Sequence, residues 1–310
     1  IGILLLFATV GALIATVSSG TLLTRFRFSW IIVIAMLIVA LGMFAISVVT
    51  SWIALLIVIF IAYSGRGLLD AGLNYFFSEN YDTSAMNWLH ASWGVGLTIA
   101  PTIMTFILID LAMPWQMGYI AVGFAALIMC IILALTMNQW NIAPETNKTD
   151  INVTEISDTA TLLETLRQPL VLLSMLIFFL YGGIEIGTGQ LANTLLVEGR
   201  QLSQNTAGLW LSLYWGSFTI GRILLGWIAL RVRDKTLLRS GMLLAVVGAL
   251  LLAWNLTEIM DLIGLISIGM GLSGIFPTLI SRTPQRVGRR FSAQTIGFQI
   301  GAAGLGASIL

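Results

Sequence analysis

The stretch Gly20-Thr-Leu-Leu-Thr-Arg25-Phe-Arg27 returns 206 positions later as Gly226-Trp-Ile-Ala-Leu-Arg231-Val-Arg233. Each copy closes one long apolar segment and opens another. In each copy a further glycine, Gly42 or Gly248, stands fifteen residues after the last arginine. A basic signal that recurs in this way between apolar segments predicts a chain built from two similar halves.

The composition indicates a membrane protein. Of the 310 residues, 58% are hydrophobic and only 9% are charged, whereas a soluble domain carries about 25% charged residues. The formal net charge of +1 argues against bulk electrostatic binding to nucleic acid. Because Cys130 is the single cysteine and His90 the single histidine, the chain cannot form an internal disulfide or a metal cluster of those residues.

Ten apolar stretches are long enough to cross a bilayer, for which a helix needs about 20 residues. They cover residues 1–22, 29–49, 52–76, 86–110, 115–138, 169–196, 206–230, 236–254, 258–280 and 289–310. The prediction is an all-α polytopic membrane protein with two pseudo-symmetric helical bundles of five spans each, residues 1–138 and 169–310. A polar linker, residues 139–168, joins the two bundles.

Arginine placement predicts the orientation, because cytoplasmic loops are enriched in lysine and arginine. Arginines cluster in the loops of one side, near residues 25–27, 231–239 and 282–290, whereas the opposite loops hold only Arg200. The arginine-rich side and the linker are therefore expected in the cytoplasm, with the protein in the inner (plasma) membrane of a bacterium. Leu162, Leu163 and Leu166 suggest a short amphipathic helix on the membrane surface, and residues 141–156 fit a disordered linker at least as well.

The repeated Gly-x4-Arg-x-Arg resembles the loop motif of the major facilitator superfamily, although Thr24 and Leu230 stand where that motif has an acidic residue. Within the superfamily, the chain is most similar to the fucose-permease-like sugar:proton symporters. The likeness is carried by Gly65–Asn74, Met86–Gly96, Tyr181–Glu185 and Ile275–Thr278, with Thr283 and Pro284. The resemblance implies the major facilitator fold. It matches the family's second to eleventh helices, so the first and twelfth are expected to be missing.

Glu185 is the first candidate for a functional carboxylate. Ionisable residues inside a span cost about 2.5–3.5 kcal/mol each and often mark functional sites. Glu185 lies near the middle of its span, with no lysine or arginine within four residues. Burial there favours the protonated acid, as proton coupling requires. The alternative is a permanently protonated acid that bonds a neighbouring helix.

Arg66, Asp70 and Asn74 form a polar stripe, because their spacing of four places them on one helix face. By resemblance, Asp70 stands where the fucose-permease family has its coupling glutamate. This makes Asp70 the second proton-coupling candidate, with Asn74 in contact with substrate. The alternative is a static ion pair between Arg66 and Asp70, which would keep the carboxylate ionised.

Other polar and aromatic groups in the spans are candidates for a substrate cavity. Sugars are bound by amide and hydroxyl hydrogen bonds and by aromatic faces, and residues of these types are Asn193, Tyr214, Trp215 and Gln299. His90 shares a helix face with Asn87 and Gly94. A packing role is favoured for it, with substrate contact as the minority alternative.

The remaining candidates concern gating. Arg25, Arg27, Arg231 and Arg233 are the candidate gating-loop residues. Arg25 and Arg231 are expected to bond carbonyls or acidic groups at the ends of neighbouring helices. Arg222 is interpreted as snorkelling to the interface or bonding a carbonyl. Pro277 predicts a bent ninth span, either a gate or a static kink.

The sequence contains no Walker sequence, no nucleophile elbow and no His-Glu-x-x-His. We therefore expect no enzymatic activity and no cofactor. The pattern favours a secondary active transporter that moves a small polar solute by alternating access with proton coupling, with a sugar as the first candidate by resemblance. Its partners are then the solute, protons and the lipid bilayer. The alternatives are a proton-driven exporter of amphipathic compounds and a membrane receptor or scaffold without transport.

Overall fold

The computed structural model describes residues 2–140 and 160–310, and the statements below concern these ranges. The described chain is helical. The helices before the linker are α1 (Gly2–Arg25), α2 (Phe28–Val48), α3 (Trp52–Asn80), α4 (Thr83–Thr105) and α5 (Gln116–Leu135). The later ones are α6 (Leu162–Leu166), α7 (Pro169–Thr194), α8 (Gln204–Ile228), α9 (Asp234–Trp254), α10 (Glu258–Leu272), α11 (Ile275–Ser281), α12 (Thr283–Val287) and α13 (Arg289–Ile309).

Each of the ten predicted spans coincides with one long helix or, for residues 258–280, with the pair α10 and α11. The π-helical segments Phe106–Asp110 and Leu195–Gly199 extend α4 and α7. Among the described residues, seven segments are long and apolar enough to cross a membrane by length and composition. The helices α4, α8 and α13 are outside that set.

Local side-chain chemistry explains where several helices begin and end. The hydroxyl of Ser203 accepts a hydrogen bond from the backbone N–H of Thr206 (3.2 Å) and caps the start of α8. Asn255 ends α9 with a φ of 50°, a left-handed conformation that asparagine tolerates. Gly288 turns the chain between α12 and α13 with a φ of 86°, where a side chain would be strained.

The short helix α6 confirms the helix expected around Leu162 and Leu163. A capping box begins it, in which Thr161 and Glu164 each accept a hydrogen bond from the other's backbone N–H. The same segment is tied to α13, because Gln294 donates to the backbone carbonyl of Ala160 (2.7 Å). Most of the predicted linker, residues 141–159, lies outside the described residues.

The ninth predicted span is broken between α10 and α11, at Ser273 and Gly274. In an unbroken helix, the N–H of residue 277 would bond the carbonyl of Ser273, four residues earlier. Pro277 has no N–H, so the helical ladder is interrupted there. The bend predicted from Pro277 is therefore confirmed.

Helix contacts group the chain into two compact units. The first unit comprises Ile1–Asn80, Ala100–Met175 and Thr283–Gly301, and in it α3 packs against α1 and α2 while α5 packs against α2. One apolar cluster of this unit consists of buried side chains on α1, α2, α3 and α5: Leu23, Phe28, Ile31, Ile32, Phe76 and Leu133. The second unit comprises Tyr81–Ile99, Leu176–Arg282 and Ala302–Leu310, and in it α10 packs against α8 and α9.

The sequence repeat is also a packing repeat. In the first unit, a Cβ added to Gly42 on α2 would lie 2.5 Å from the Cβ of Ala62 on α3. In the second unit, a Cβ added to Gly248 on α9 would lie 2.8 Å from the backbone N of Ile268 on α10. Ile268 stands 206 positions after Ala62, as Gly248 does after Gly42. The glycines of the repeat therefore mark equivalent close helix crossings.

Candidate functional site

Glu185 lies on α7 in the second unit and is 8% exposed. The hydroxyl of Tyr214, on α8, donates to the backbone carbonyl of Glu185 at 2.8 Å. One turn earlier on α7, the hydroxyl of Tyr181 donates to the carbonyl of Leu272 on α10 at 3.1 Å. These two bonds fix the part of α7 that carries Glu185 to α8 and α10.

Arg222 on α8 supplies the cation that Glu185 lacks in its own sequence neighbourhood. The guanidinium is buried, and its Nη2 lies 3.9 Å from Oε1 of Glu185. That distance is too long for a hydrogen bond, so the two groups are held by charge attraction. The pair was not predicted from the sequence, because 37 positions separate the two residues. One signal pointed to it: each is the only mid-span residue of its charge in the predicted spans of the second half.

Backbone carbonyls hold the guanidinium of Arg222 from two further helices. Its Nη1 donates to the carbonyl of His90 on α4, and its Nε donates to the carbonyl of Ser273 at the α10–α11 break, both at 3.4 Å. Of the two interpretations of Arg222, the bond to a carbonyl is therefore the observed one, and the side chain does not snorkel. The Ser273 carbonyl is the one that Pro277 leaves without its helical partner.

Two aromatic rings complete the surroundings of Arg222. The guanidinium carbon lies 4.2 Å from the ring centroid of Phe218 and 5.2 Å from that of Trp93. Both distances are within the range of cation–π attraction. We call the set formed by Glu185, Arg222 and the carbonyls of His90 and Ser273 the Arg222 cluster; it joins α4, α7, α8 and the end of α10.

The ring of His90 packs against an aromatic group next to the Arg222 cluster. It meets the ring of Phe276 edge-on at 5.1 Å, and Phe276 in turn lies 5.0 Å from Phe178 and 5.8 Å from Tyr181. Farther along α4, a Cβ on Gly94 would lie 2.7 Å from the hydroxyl oxygen of Thr219 on α8. These contacts agree with the packing role favoured for the His90 segment.

Tyr214 and Trp215 are adjacent on α8 but differ in position. Tyr214 is fully buried and bonded to α7, as described above. Trp215 is half-buried, with its ring 5.0 Å from that of Tyr214 and packed on Gly189 of α7. Asn193 is half-buried near the C-terminal end of α7, two turns beyond Glu185.

The polar stripe on α3 belongs to the first unit. The amide nitrogen of Asn74 donates to Oδ1 of Asp70 and to its backbone carbonyl, both at 2.9 Å. Asp70 is exposed whereas Asn74 is buried. Arg66 lies over the ring of Tyr63, 5.6 Å from its centroid. Gln299, also in the first unit, accepts a hydrogen bond from the hydroxyl of Thr283 at 3.0 Å.

The bonds to neighbouring helix ends that were predicted for Arg25 and Arg231 are not present among the described residues. In the part of the chain that the structure describes, Arg25, Arg27, Arg231 and Arg233 are exposed and form no side-chain hydrogen bond or ion pair. Other arginines of the same loops form the ion pairs. They are Arg282 with Asp234, Arg289 with Glu79 (3.3 Å) and Arg290 with Glu164 (3.5 Å). These partners come from other helices, so sequence spacing did not reveal them.

Among solved structures, the fold is similar to that of FucP, a Major Facilitator Superfamily transporter, in the outward conformation. The TM-score is 0.75 at 18% identity, over 99% of this chain and 80% of that one. It is also similar to the human organic anion transporter MFSD10, with a TM-score of 0.71 at 16% identity over 98% of this chain and 75% of that one. A bacterial homologue of the iron transporter ferroportin gives a TM-score of 0.72 at 15% identity, over 98% of this chain and 81% of that one.

A second structure of the Escherichia coli fucose:proton symporter FucP gives a TM-score of 0.73 at 18% identity, over 99% of this chain and 81% of that one. No curated protein matches the sequence. The sequence profile of the Major Facilitator Superfamily matches residues 1–310. The chain therefore belongs to the Major Facilitator Superfamily, as an all-helical secondary transporter of the membrane and not an enzyme.

Proposed function

We propose that this transporter moves a small polar solute together with protons, by alternating access, with Glu185 as the proton site. The observation that carries the proposal is the geometry of Glu185 and Arg222. The carboxylate is buried and lies 3.9 Å from the guanidinium, without a hydrogen bond between them. It can therefore gain and lose a proton without a direct hydrogen bond to Arg222 being broken.

Burial and the nearby cation act on Glu185 in opposite directions. Removal from water disfavours the charged carboxylate, whereas Arg222 favours it. A carboxyl group balanced between the two influences suits a site that must be protonated on one side of the membrane and deprotonated on the other. Asp70 is the second candidate for the proton site. Its side chain is exposed and accepts a hydrogen bond from the amide of Asn74.

A neutral sugar is the first substrate class to test. The fold likeness to the fucose:proton symporter supports this choice at the level of the fold. Side chains of the types that bind sugars supply the second support, namely Asn74, His90, Asn193, Tyr214, Trp215 and Gln299.

The proposal includes a topology. Ten helices or helix pairs cross the inner membrane of a bacterium, and residues 1–138 and 169–310 form the two bundles that alternate in access. The loops near residues 25–28, 231–236 and 282–290 face the cytoplasm. Cysteines placed in these loops should react with an impermeant maleimide only after the cells are permeabilised, and reaction in intact cells would contradict this orientation.

The transport test uses the purified protein in proteoliposomes, with a panel of radiolabelled sugars that begins with fucose. The variant Glu185→Gln mimics the protonated acid and has no proton to release. It should still exchange internal for external sugar, but should no longer accumulate sugar when a pH gradient is applied. The matched variant Asp70→Asn should instead cost folding or binding if Asp70 mainly pairs with Arg66, because the neutral amide carries no charge for the guanidinium.

Three outcomes would contradict the proposal. Full gradient-driven accumulation by Glu185→Gln would remove Glu185 from the coupling step and leave Asp70 as the candidate. Uptake by the unchanged protein that ignores the pH gradient would argue for passive transport. Absence of flux for every solute tested would favour the receptor or scaffold alternative.

A further inference from the structure

Arg222 and Pro277 have no equivalent in the first half of the repeat. Position 71 corresponds to Pro277 and is Ala71, and α3 runs unbroken from Trp52 to Asn80. Position 16 corresponds to Arg222 and is Thr16, whose hydroxyl bonds a carbonyl of its own helix. The proline that breaks α10–α11 and the arginine that bonds the exposed carbonyl thus occur together, in the second half alone.

The position of Arg222 links the broken helix to Glu185. Its Nε donates to the carbonyl of Ser273, while its Nη2 faces the carboxylate of Glu185. Because Pro277 has no N–H, the carbonyl of Ser273 depends on Arg222 for its side-chain donor. One planar guanidinium therefore contacts both the charged group of α7 and the break in the neighbouring helix.

We propose that Arg222 is a positioning residue through which the charge of Glu185 controls the α10–α11 break. This rests on the proposed role of Glu185 as the proton site. When Glu185 is ionised, it competes with the two backbone carbonyls for the buried guanidinium. When a proton binds a carboxylate oxygen of Glu185, the guanidinium loses its counter-charge. A buried cation must then be compensated by the groups that remain.

The groups that remain define the direction of the change. They are the carbonyls of Ser273 and His90 and the rings of Phe218 and Trp93. The guanidinium is therefore drawn toward the carbonyls when Glu185 is protonated. Its hydrogen bond to the Ser273 carbonyl becomes stronger, which stabilises the α10–α11 break. Loss of the proton weakens this bond, which frees α11 to move relative to α10.

Other titratable groups near the Arg222 cluster must be separated from Glu185 in the test. Tyr181 and Tyr214 face Glu185 from α7 and α8, and His90 faces Arg222 from α4. The contacts from α10 and α11 are with the uncharged residues Ser273 and Phe276. Tyrosines ordinarily ionise near pH 10, outside the range of the test, so His90 is the one group that needs its own variant.

Hydrogen exchange of the backbone amides of residues 273–281 measures the break directly. The full chain in nanodiscs is compared at about pH 5.5 and about pH 8, with rates corrected for the intrinsic effect of pH. The unchanged protein should be more protected at the lower pH. This pH response should be lost in Arg222→Gln and in Glu185→Gln, and should persist in His90→Asn.

Proline variants keep the test decisive even where Arg222→Gln folds poorly. Pro277→Ala returns an N–H to the carbonyl of Ser273, so the pH response of residues 273–281 should disappear although Arg222 and Glu185 are intact. Pro284→Ala is the matched control, because Pro284 lies on α12 in the first unit. It should leave the pH response unchanged.

The outcomes separate this inference from the proposed function. A pH response that survives in a folded Arg222→Gln protein or in Pro277→Ala would overturn the role of Arg222. Uniformly lower protection in Arg222→Gln, with the pH response intact, would show a structural role only. Loss of coupled transport in Glu185→Gln with a surviving pH response in Pro277→Ala would refute the inference and leave the proton site standing.

Discussion

The helices α1, α2 and α3 of the first unit and α8, α9 and α10 of the second pack in the same way but carry different chemistry. In each group the third helix packs against the other two. The crossings of the second and third helices fall on positions 206 residues apart, at Gly42 with Ala62 and at Gly248 with Ile268. Helix packing was therefore retained in both halves of the repeat.

The polar and charged side chains on these helices do not follow the repeat. Asp70 and Asn74 on α3 correspond to Phe276 and Ile280 on α11, and Arg222 on α8 corresponds to Thr16 on α1. The first group thus has Arg66 and Asp70 on its third helix, whereas the second has the buried Arg222 on its first helix, where it faces Glu185 of α7. This difference teaches that the close contacts serve the fold of both units, whereas the charged residues serve tasks specific to one unit.

The largest effect should come from Arg222, which has a neutral counterpart in Thr16. Arg222→Met leaves Glu185 as an uncompensated buried charge, and removal of one partner of a buried pair costs roughly 3–5 kcal/mol. The free energy of unfolding in detergent measures this loss. The double variant Glu185→Leu/Arg222→Met should recover most of it, and Thr16→Val should change stability by less than about 1 kcal/mol. Equal losses at positions 16 and 222 would erase the difference between the two groups.

An intermediate effect is expected at the two equivalent helix crossings. Gly248→Ala should destabilise by about 1–3 kcal/mol through overpacking, because the new Cβ would meet the carbonyl of Gly264 at 2.6 Å. In Gly42→Ala the new Cβ would instead meet the Cβ of Ala62, so adding the second change Ala62→Gly should relieve this clash and restore the lost stability. Thermal unfolding of both variants tests the equivalence. Gly208→Ala is the control, since a Cβ there meets nothing within 4 Å, and a loss as large as that of Gly248→Ala would refute the packing explanation.

The smallest effect should come from α6, which lies outside the repeat. A hydrogen bond from the backbone of Thr161 lowers the pKa of the Glu164 carboxyl below its usual value, and Arg290 acts in the same direction. Because the pKa is lowered in the folded state, the ionised carboxylate stabilises the folded segment at pH values above the ordinary glutamate pKa. This stabilisation is lost as the pH falls below that value. Hydrogen exchange of residues 160–168, corrected for the intrinsic effect of pH, should therefore accelerate below about pH 4.5. Glu164→Gln should remove this pH dependence, and an unchanged acid response in that variant would contradict the assignment.

Much of the scaffold could be predicted from one-dimensional patterns. Apolar runs of bilayer length gave helices at the predicted positions, because a backbone in lipid must satisfy its own hydrogen bonds. The missing N–H of Pro277 gave the break in the ninth span. The candidate site could be predicted from the sequence only in part. Glu185 was identified from its position near the middle of an apolar span, but its environment was predicted without a cation, and Arg222 was given a minor role.

The sequence by itself determined the family, the helices and the 206-residue repeat, because these depend on hydrophobicity, backbone chemistry and spacing along the chain. The tertiary structure decided which charges meet. Arg222 reaches Glu185, the His90 carbonyl and the Ser273 carbonyl from a different helix in each case. It likewise decided that Arg282, Arg289 and Arg290 form ion pairs while Arg25 and Arg231 form none with the described residues. Electrostatic partners are set by distance in space, which sequence spacing does not specify between helices.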